Sequence, residues 1–143
     1  MDYRIDIVNW ADAEPALRAV RTRVFIEEQH VPQALEWDGE DGHARHALAR
    51  EAHGQPVGCA RLILHGPLAH IGRMAVLKDW RGRGVGRALL QGMLVEAHQQ
   101  GASAAFLNAQ THAVPFYERA GFVREGEEFL DAGIPHFRMA RGL

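Results

Sequence analysis

The segment that most constrains the fold is 69–108, where a strand, a glycine-rich turn, a helix and a second strand follow one another. The apolar pattern AHIGRMAVL leads directly into KDWRGRGVG, which contains Gly82, Gly84 and Gly86. Apolar residues then recur at helical spacing over 84–100, and the run SAAFLNA has the continuous apolar character of a buried parallel strand. Two strands joined through a helix lie parallel in one sheet. The segment therefore predicts an α/β protein.

The remaining segments add strands around this unit. Alternating apolar residues predict a strand at 3–8, and helical spacing predicts a helix from Asp12 to about residue 28. HALAREA and PVGCARLILH, separated by HGQP, indicate a hairpin. A short helix ending at Gly121 is followed by two more strands, FVREGEEFL and HFRMAR. This order predicts a mixed α/β sheet.

Composition excludes several classes of protein. The chain of 143 residues predicts one domain, 1–143, and its net charge of −2 gives no general attraction to nucleic acid or to an anionic membrane. The single cysteine, Cys59, cannot form an internal disulfide and indicates a reducing compartment. No signal-peptide pattern and no membrane-length apolar run of ~20 residues is found. We therefore expect a cytoplasmic protein with no nucleic-acid or membrane partner.

The glycine-rich turn has the chemistry of an anion site. Amide groups at a helix N-terminus lack partners and carry partial positive charge, and glycine lets a phosphate approach them closely. The sequence after Gly86 is Arg-Ala, which excludes a Walker A loop, and Leu89 stands where a dinucleotide-binding fingerprint needs glycine. The pattern Arg81-x-x-Gly84-x-Gly86 remains. On this pattern alone, a plain strand-to-helix turn stays an alternative.

That pattern resembles the pyrophosphate loop of the GNAT superfamily of acyl-CoA N-acyltransferases, Q/R-x-x-G-x-G/A. NAQTHAVPFYERAGF at 108–122 is similar to the second cofactor segment of the superfamily. VFIEEQHVPQALEWDGEDGHARH, IGRMAV and GIPHFRMAR together resemble its ElaA/YjcF-like branch. The resemblance follows nearly the whole chain in order, and it agrees with the order of strands and helices given above.

The resemblance implies a GNAT fold, which is a mixed, twisted sheet of six to seven strands with helices on both faces. Its central parallel strands, here 69–77 and 103–108, would be splayed, with acetyl-CoA in the gap. The N–H of Val76 would polarise the thioester carbonyl, and Arg87 is only a candidate helper because the helix phase can turn it away. The implied cofactor-binding residues are Met74, Ala75, Val76, Arg81, Gly82, Arg83, Gly84, Val85, Gly86, Arg87, Asn108 and Phe116.

By the same resemblance, Tyr117 occupies the position of a general acid. An amine attacks the thioester, the leaving group is a thiolate, and a phenol with a pKa of about 10 can protonate it. The alternative is an aromatic side chain that packs on the helix before Gly121. This implied reaction is a direct acetyl transfer from acetyl-CoA to a primary amine. A non-catalytic acyl-CoA sensor is the alternative function.

The attacking amine must lose a proton, and several side chains compete as its base. The resemblance favours Glu28 as a substrate-site carboxylate, with His46 or His136 as competing bases. An acidic pocket over 27–41 would suit a cationic small-molecule acceptor, while a solvated acidic loop is the alternative. A protein amine stays open as the acceptor, and edge strands of such folds often pair, so a homodimer is a candidate assembly.

Two other signals are interpreted as structural. The nine histidines include His43 and His46 near acidic residues, but neither an H-E-x-x-H motif nor EF-hand spacing is present. We therefore predict no metal. Cys59 follows a glycine within an apolar strand, which is typical of a small core residue rather than a nucleophile.

Overall fold

The computed structural model describes residues 2–143, which form one sheet and four α-helices. The seven strands are β1 (Tyr3–Val8), β2 (Arg45–Glu51), β3 (Pro56–His65), β4 (Leu68–Val76), β5 (Ala104–Gln110), β6 (Val123–Asp131) and β7 (Ile134–Gly142). The helices are α1 (Trp10–Arg21), α2 (Gln33–Glu36), α3 (Val85–Gln99) and α4 (Val114–Glu118).

The strand order is β1-β2-β3-β4-β5-β7-β6, and β4 and β5 form the parallel pair. The other neighbouring strands are antiparallel. Helix α3 connects β4 to β5, as a crossover between parallel strands requires. The predicted mixed sheet of six to seven strands is confirmed.

The two parallel strands separate after a short contact. Their register runs from Leu68 opposite Ala104 to His70 opposite Phe106 and extends no further. Beyond His70, β4 has a register shift against β3, and Arg73 within it has a φ of 51°. An extra residue of this kind bends a strand away from its neighbour. The predicted splay is therefore confirmed, and it opens a gap between β4 and β5.

Helices cover both faces of the sheet and bury a core on each. On one face, α3 buries Leu89 and Met93 against strand residues that include Ile71. On the other, α1 buries Leu17 and Val20 against side chains that include Leu48 and Cys59. Cys59 is a core residue, as predicted, and burial raises the pKa of its thiol to about 12.

The helix predicted from Asp12 to about residue 28 is only partly correct. The α-helix ends at Arg21, and the chain continues in π-helical turns over Thr22–Glu28. The wider turns bury the consecutive residues Val24 and Phe25, and such segments occur often at functional sites. Within 2–143, the helices are too short or too polar to cross a bilayer. The cytoplasmic location stays a prediction.

Candidate active site

The gap between β4 and β5 widens into a cavity of about 700 Å³. Its wall is formed by both strands, the π-helical turns, the start of α3, α4 and the turn between β6 and β7. The residues predicted for the site that line it are Glu28, Met74, Ala75, Val76, Arg81, Gly86, Asn108, Phe116, Tyr117 and His136. Those outside the lining are Gly82, Arg83, Gly84, Val85 and Arg87.

The first turn of α3 presents unused amide groups beside this cavity. Gly84 is the N-cap residue, its φ is 84°, and it supplies no side-chain cap. The N–H groups of Val85, Gly86 and Arg87 have no acceptor within the helix, since helical bonding begins with Ala88 N–H to the Gly84 carbonyl oxygen. These three amides can bind an anion through their backbone although two of the side chains point elsewhere.

The three arginines of the loop have different environments. Arg81 donates from Nη1 and Nη2 to the Glu28 carboxylate at 2.7 and 2.8 Å, and from Nε to the Val76 carbonyl oxygen at 2.9 Å. Arg83 lies over the Trp80 ring, with 4.6 Å between the guanidinium carbon and the ring centroid. The side chain of Arg87 is exposed and lies outside the cavity lining, as its helix phase allowed.

The Val76 peptide faces the gap. Leu77 N–H donates to the Val57 carbonyl oxygen, which makes this a hydrogen-bonded pair between β4 and β3. Because bonded and non-bonded pairs alternate along antiparallel strands, the N–H and C=O of Val76, opposite Gly58, point to the other edge of β4. That edge has no strand partner at this level, although the Val76 carbonyl oxygen accepts from Arg81 Nε. An extended ligand can add to β4 here as a strand would.

Tyr117 lies on α4 with its ring fixed between two aromatic neighbours. Phe116 and Phe122 contact it edge-on, with centroid distances of 5.0 and 6.1 Å. Only 8% of the residue is exposed, and this burial raises the pKa of the phenol to about 12. The hydroxyl is therefore a proton donor at neutral pH. The ring therefore packs as the alternative prediction for Tyr117 expected. The residue also lines the cavity, so the packing does not exclude the role of a general acid.

His136 on β7 has one ring nitrogen committed and one available. Its Nδ1 lies 2.6 Å from the Ile134 carbonyl oxygen. Because a carbonyl only accepts, Nδ1 carries the proton, and the neutral ring has its lone pair at Nε2. The ring stacks on Phe129 with 5.9 Å between centroids. A histidine held in this way can accept a proton from a molecule in the cavity.

His46, the other candidate base, is in a different place. It is buried, its Nε2 lies 3.1 Å from the Asp41 carbonyl oxygen, and it is outside the cavity lining. Burial lowers the pKa of its imidazole. The expectation that His46 competes as the base is therefore wrong, because the strand alternation of β2 turns its side chain toward α1 and Trp10.

The acidic segment is neither a solvated loop nor an acidic pocket at its centre. Three of its carboxylates, those of Glu36, Asp38 and Asp41, are paired with arginines from α1, β3 and the bend in β4. Arg21 donates to Glu36 at 2.7 Å and to Asp41 at 2.6 Å, and all three are buried. The full network comprises Arg21, Glu36, Asp38, Asp41, Arg61 and Arg73.

This network also fixes the cavity wall. Arg73, in the bend of β4, donates from Nη2 to the carbonyl oxygens of Leu35 and Glu36 at 3.2 and 3.1 Å. Burial beside Arg61 lowers the pKa of Arg73, whereas hydrogen bonds from Arg61 hold the pKa of Asp38 at about 2. The arginines thus neutralise the carboxylates that were expected to attract a cation.

Several lining residues had no predicted role, among them His70 and Asp131. His70 stacks on Phe106 at 4.4 Å, and burial lowers the pKa of its imidazole to about 4. Asp131 lies at the end of β6, at the turn into β7. Strand alternation could have placed His70 on the face of Gly72, but only the register of β6 against β7 brings Asp131 to the cavity. Among residues 2–143, no group of three metal-ligating side chains occurs.

The depressed pKa of His70 predicts acid-dependent stability. An unfolded histidine takes up a proton below its ordinary value of 6.5, whereas folded His70 does so only near 4. The free energy of unfolding should therefore fall as the pH drops from 6.5 to 4, with His70 contributing about 2 kcal/mol after solvent screening. Urea unfolding across this range measures it. The variant His70→Gln should reduce the dependence of the free energy of unfolding on pH. His53→Gln, in an exposed turn, is the control. An equal effect of both variants would contradict the prediction.

Comparison with known proteins agrees with this architecture. Residues 12–143 match the family described as the acetyltransferase (GNAT) domain. The uncharacterized N-acetyltransferase YjcF of Bacillus subtilis (strain 168) is 40% identical over 123 residues, which are 85% of this chain and 87% of the relative.

Solved structures show the same fold. An acyl-CoA N-acyltransferase from Pseudomonas aeruginosa is 33% identical, with a TM-score of 0.86 over 97% of this chain and 99% of that chain. Escherichia coli ElaA is 30% identical, with the same TM-score and coverage. With the splayed sheet and the glycine turn in place, these similarities establish that the chain belongs to the GNAT superfamily of N-acetyltransferases.

Proposed function

We propose that this chain is a single GNAT domain, 1–143, that uses acetyl-CoA to acetylate a primary amine of a small molecule by direct transfer. The observation that carries the proposal is the uncapped N-terminus of α3 beside the unpaired edge of β4. Free amides suit a pyrophosphate, and a free strand edge suits an extended amide-containing arm. Acetyl-CoA has both groups, and when bound it supplies an acetyl group activated as a thioester.

The residues present fit this cofactor. The amides of residues 82–87 would hold the pyrophosphate with Arg81, and the backbone of Met74, Ala75 and Val76 would hold the pantetheine arm. The Val76 N–H is available as a donor toward a carbonyl oxygen in the gap. Asn108 and Phe116, across the gap, would contact the same arm.

Tyr117 and His136 divide the proton transfers. Tyr117 keeps its proton at neutral pH because its pKa is about 12, so its hydroxyl can donate to a departing sulfur. His136 Nε2 takes the proton from the attacking amine, since its Nδ1 is occupied by the Ile134 carbonyl. These assignments give the acid and the base to side chains from α4 and β7 that line one cavity.

Glu28 has a different role in this proposal from that of a free base. Its carboxylate is held by Arg81, which lowers the pKa of Glu28. A phosphate group that attracts Arg81 would release this carboxylate toward the acceptor. Glu28 is thus a substrate-site carboxylate whose availability depends on Arg81.

The size of the cavity supports a small acceptor. Its volume of about 700 Å³, which the acceptor would share with the pantetheine arm, lies within the range of about 300–1,000 Å³ that is typical of small-molecule sites. The wall carries several polar groups between apolar side chains, an arrangement that orients one ligand.

Replacing Gly84 by alanine tests the cofactor assignment. The φ of 84° places an alanine in the left-handed region, at a cost of about 1–2 kcal/mol, and any relief of that strain moves the amides of the turn. We expect acetyl-CoA affinity, measured by calorimetry, to fall at least tenfold. Gly54→Ala is the matched control, because Gly54 has a φ of 90° and open space around it in the β2–β3 turn.

Equal acetyl-CoA affinity in the Gly84 and Gly54 variants would contradict the placement of the pyrophosphate. Absence of acetyl-CoA heat in the unmodified protein would contradict the proposed function. Binding without thiol release in the presence of any amine would favour the acyl-CoA sensor instead.

A further inference from the structure

Of the three carboxylates in the cavity wall, two form ion pairs with arginines that also line the cavity and one does not. Glu28 is paired with Arg81 and Glu36 with Arg73. The third carboxylate of the wall, Asp131, has no hydrogen bond or ion pair with another side chain in the described part of the chain, 2–143. Both arginines of the wall are therefore paired with carboxylates, although Arg73 Nε makes no hydrogen bond, and the remaining negative charge of the wall is that of Asp131.

A tight turn of two residues follows Asp131. Ala132 and Gly133 form the two-residue connection between β6 and β7, with φ values of 52° and 76°. Two positive φ values are typical of the type I′ turn that joins tight hairpins. An alanine rarely adopts this conformation, so the hairpin imposes it. The carboxylate is therefore presented on a defined strand end.

The strand register places Asp131 and His136 on the same face. Asp131 is opposite Ile134, and Phe129 is opposite His136. Directly opposed residues share a face of the sheet, as do alternate residues along one strand. Asp131 and His136 are thus diagonal neighbours, which in an antiparallel pair lie about 7–8 Å apart, with their Cβ atoms somewhat closer. All of Asp131, Ile134 and His136 line the cavity.

We propose that the acceptor is a dibasic small molecule and that Asp131 binds its second ammonium group. The inference rests on the proposed function, since it concerns the acceptor of that same site. The reacting amine gives a proton to His136 Nε2 and gains the acetyl group as the bond from the acetyl carbon to sulfur breaks. The sulfur takes a proton from Tyr117. The second amine keeps its proton and its charge opposite Asp131.

Other acceptor chemistries fit this wall less well. An acceptor with a carboxylate would face Asp131 without an unpaired arginine to compensate it. A monoamine would react at His136 but leave the Asp131 carboxylate without a partner. The dibasic acceptor satisfies both groups at once.

Kinetics with diaminopentane and its matched monoamine, aminopentane, test the inference. We expect the unmodified protein to have a KM about fivefold lower for the diamine, the upper range for an ion pair exposed to solvent. Asp131→Asn should remove this preference by raising the KM for diaminopentane, with kcat and the KM for aminopentane unchanged. Glu127→Gln, an exposed carboxylate of β6 outside the cavity lining, is the control and should change neither.

A second measurement does not depend on turnover. Calorimetry should detect diaminopentane binding to the unmodified protein, with weaker binding at high salt and in Asp131→Asn. Equal KM values for the two amines, or an equal effect of Asp131→Asn on both, would overturn the inference while leaving the acetyltransferase function intact. If no amine is acetylated, the proposed function fails, and the calorimetry alone decides whether Asp131 binds the diamine. Equal diaminopentane binding by the unmodified protein and by Asp131→Asn would then overturn the inference.

Discussion

Replacing Tyr117 by phenylalanine should lower kcat by roughly 10²–10⁴, the contribution of a positioned general acid. The change removes the hydroxyl and keeps the ring that packs against Phe116 and Phe122. The phenol has a pKa of about 12, so it is the protonated donor across the neutral range, and phenylalanine has no proton to give. Steady-state release of free thiol from acetyl-CoA, with a reactive amine, measures the effect.

The chain provides a matched control for this change. Tyr3→Phe removes the hydroxyl of the other tyrosine, which lies beside Gly84 but outside the cavity lining, and should leave kcat at saturating acetyl-CoA unchanged. Acetyl-CoA affinity by calorimetry should be similar in the unmodified and Tyr117→Phe proteins, because the Tyr117 hydroxyl makes no proposed bond to the cofactor. A Tyr117→Phe protein that binds acetyl-CoA and retains kcat within threefold would show that Tyr117 only packs.

Replacing Arg21 by methionine should cost about 3–5 kcal/mol of the free energy of unfolding. Arg21 is 1% exposed and donates to the carboxylates of Glu36 and Asp41, both buried. Methionine fills part of the space but leaves Asp41 with Arg61 and Glu36 with Arg73 as their remaining partners. Removing one partner from a buried ionic network is costly because charge stays buried without compensation.

Arg18→Met on the same helix is the control. Arg18 stacks on the same two tryptophan rings as Arg21, but its ion pair with Glu14 is exposed. We expect it to change stability by no more than about 1 kcal/mol. Urea unfolding of the three proteins measures both values. Equal stabilities of the two variants would mean that the network contributes no more than a surface pair does.

Local patterns carried enough information to predict the sheet and its crossover. Alternation in β1 and the helical spacing in α3 each depend on which side of an element is buried, so neighbouring residues reveal them. The splay of the two parallel strands and the roles of Tyr117 and Val76 were predicted from the resemblance to a family, because the periodicity of the sequence does not contain them.

Pairings distant in sequence could not be predicted in the same way. The partners of Arg21 lie 15 and 20 residues away, and Arg61 reaches Asp38 across 23 residues. From the charge pattern alone, the segment that contains Glu36 and Asp41 could equally be a solvated acidic loop or an acidic pocket. The free carboxylate of the cavity, Asp131, became identifiable only when the register of β6 and β7 was known.

The short contact between β4 and β5 has a mechanical consequence. Strand pairing between the four strands on one side of the sheet and the three on the other is limited to the pairs from Leu68 with Ala104 to His70 with Phe106. We expect this seam to act as a hinge of small amplitude, because the core that α3 buries also spans both halves of the sheet. A ligand lying along both strands would clamp the hinge, so amide hydrogen exchange should slow on both sides of the seam when the cavity is filled.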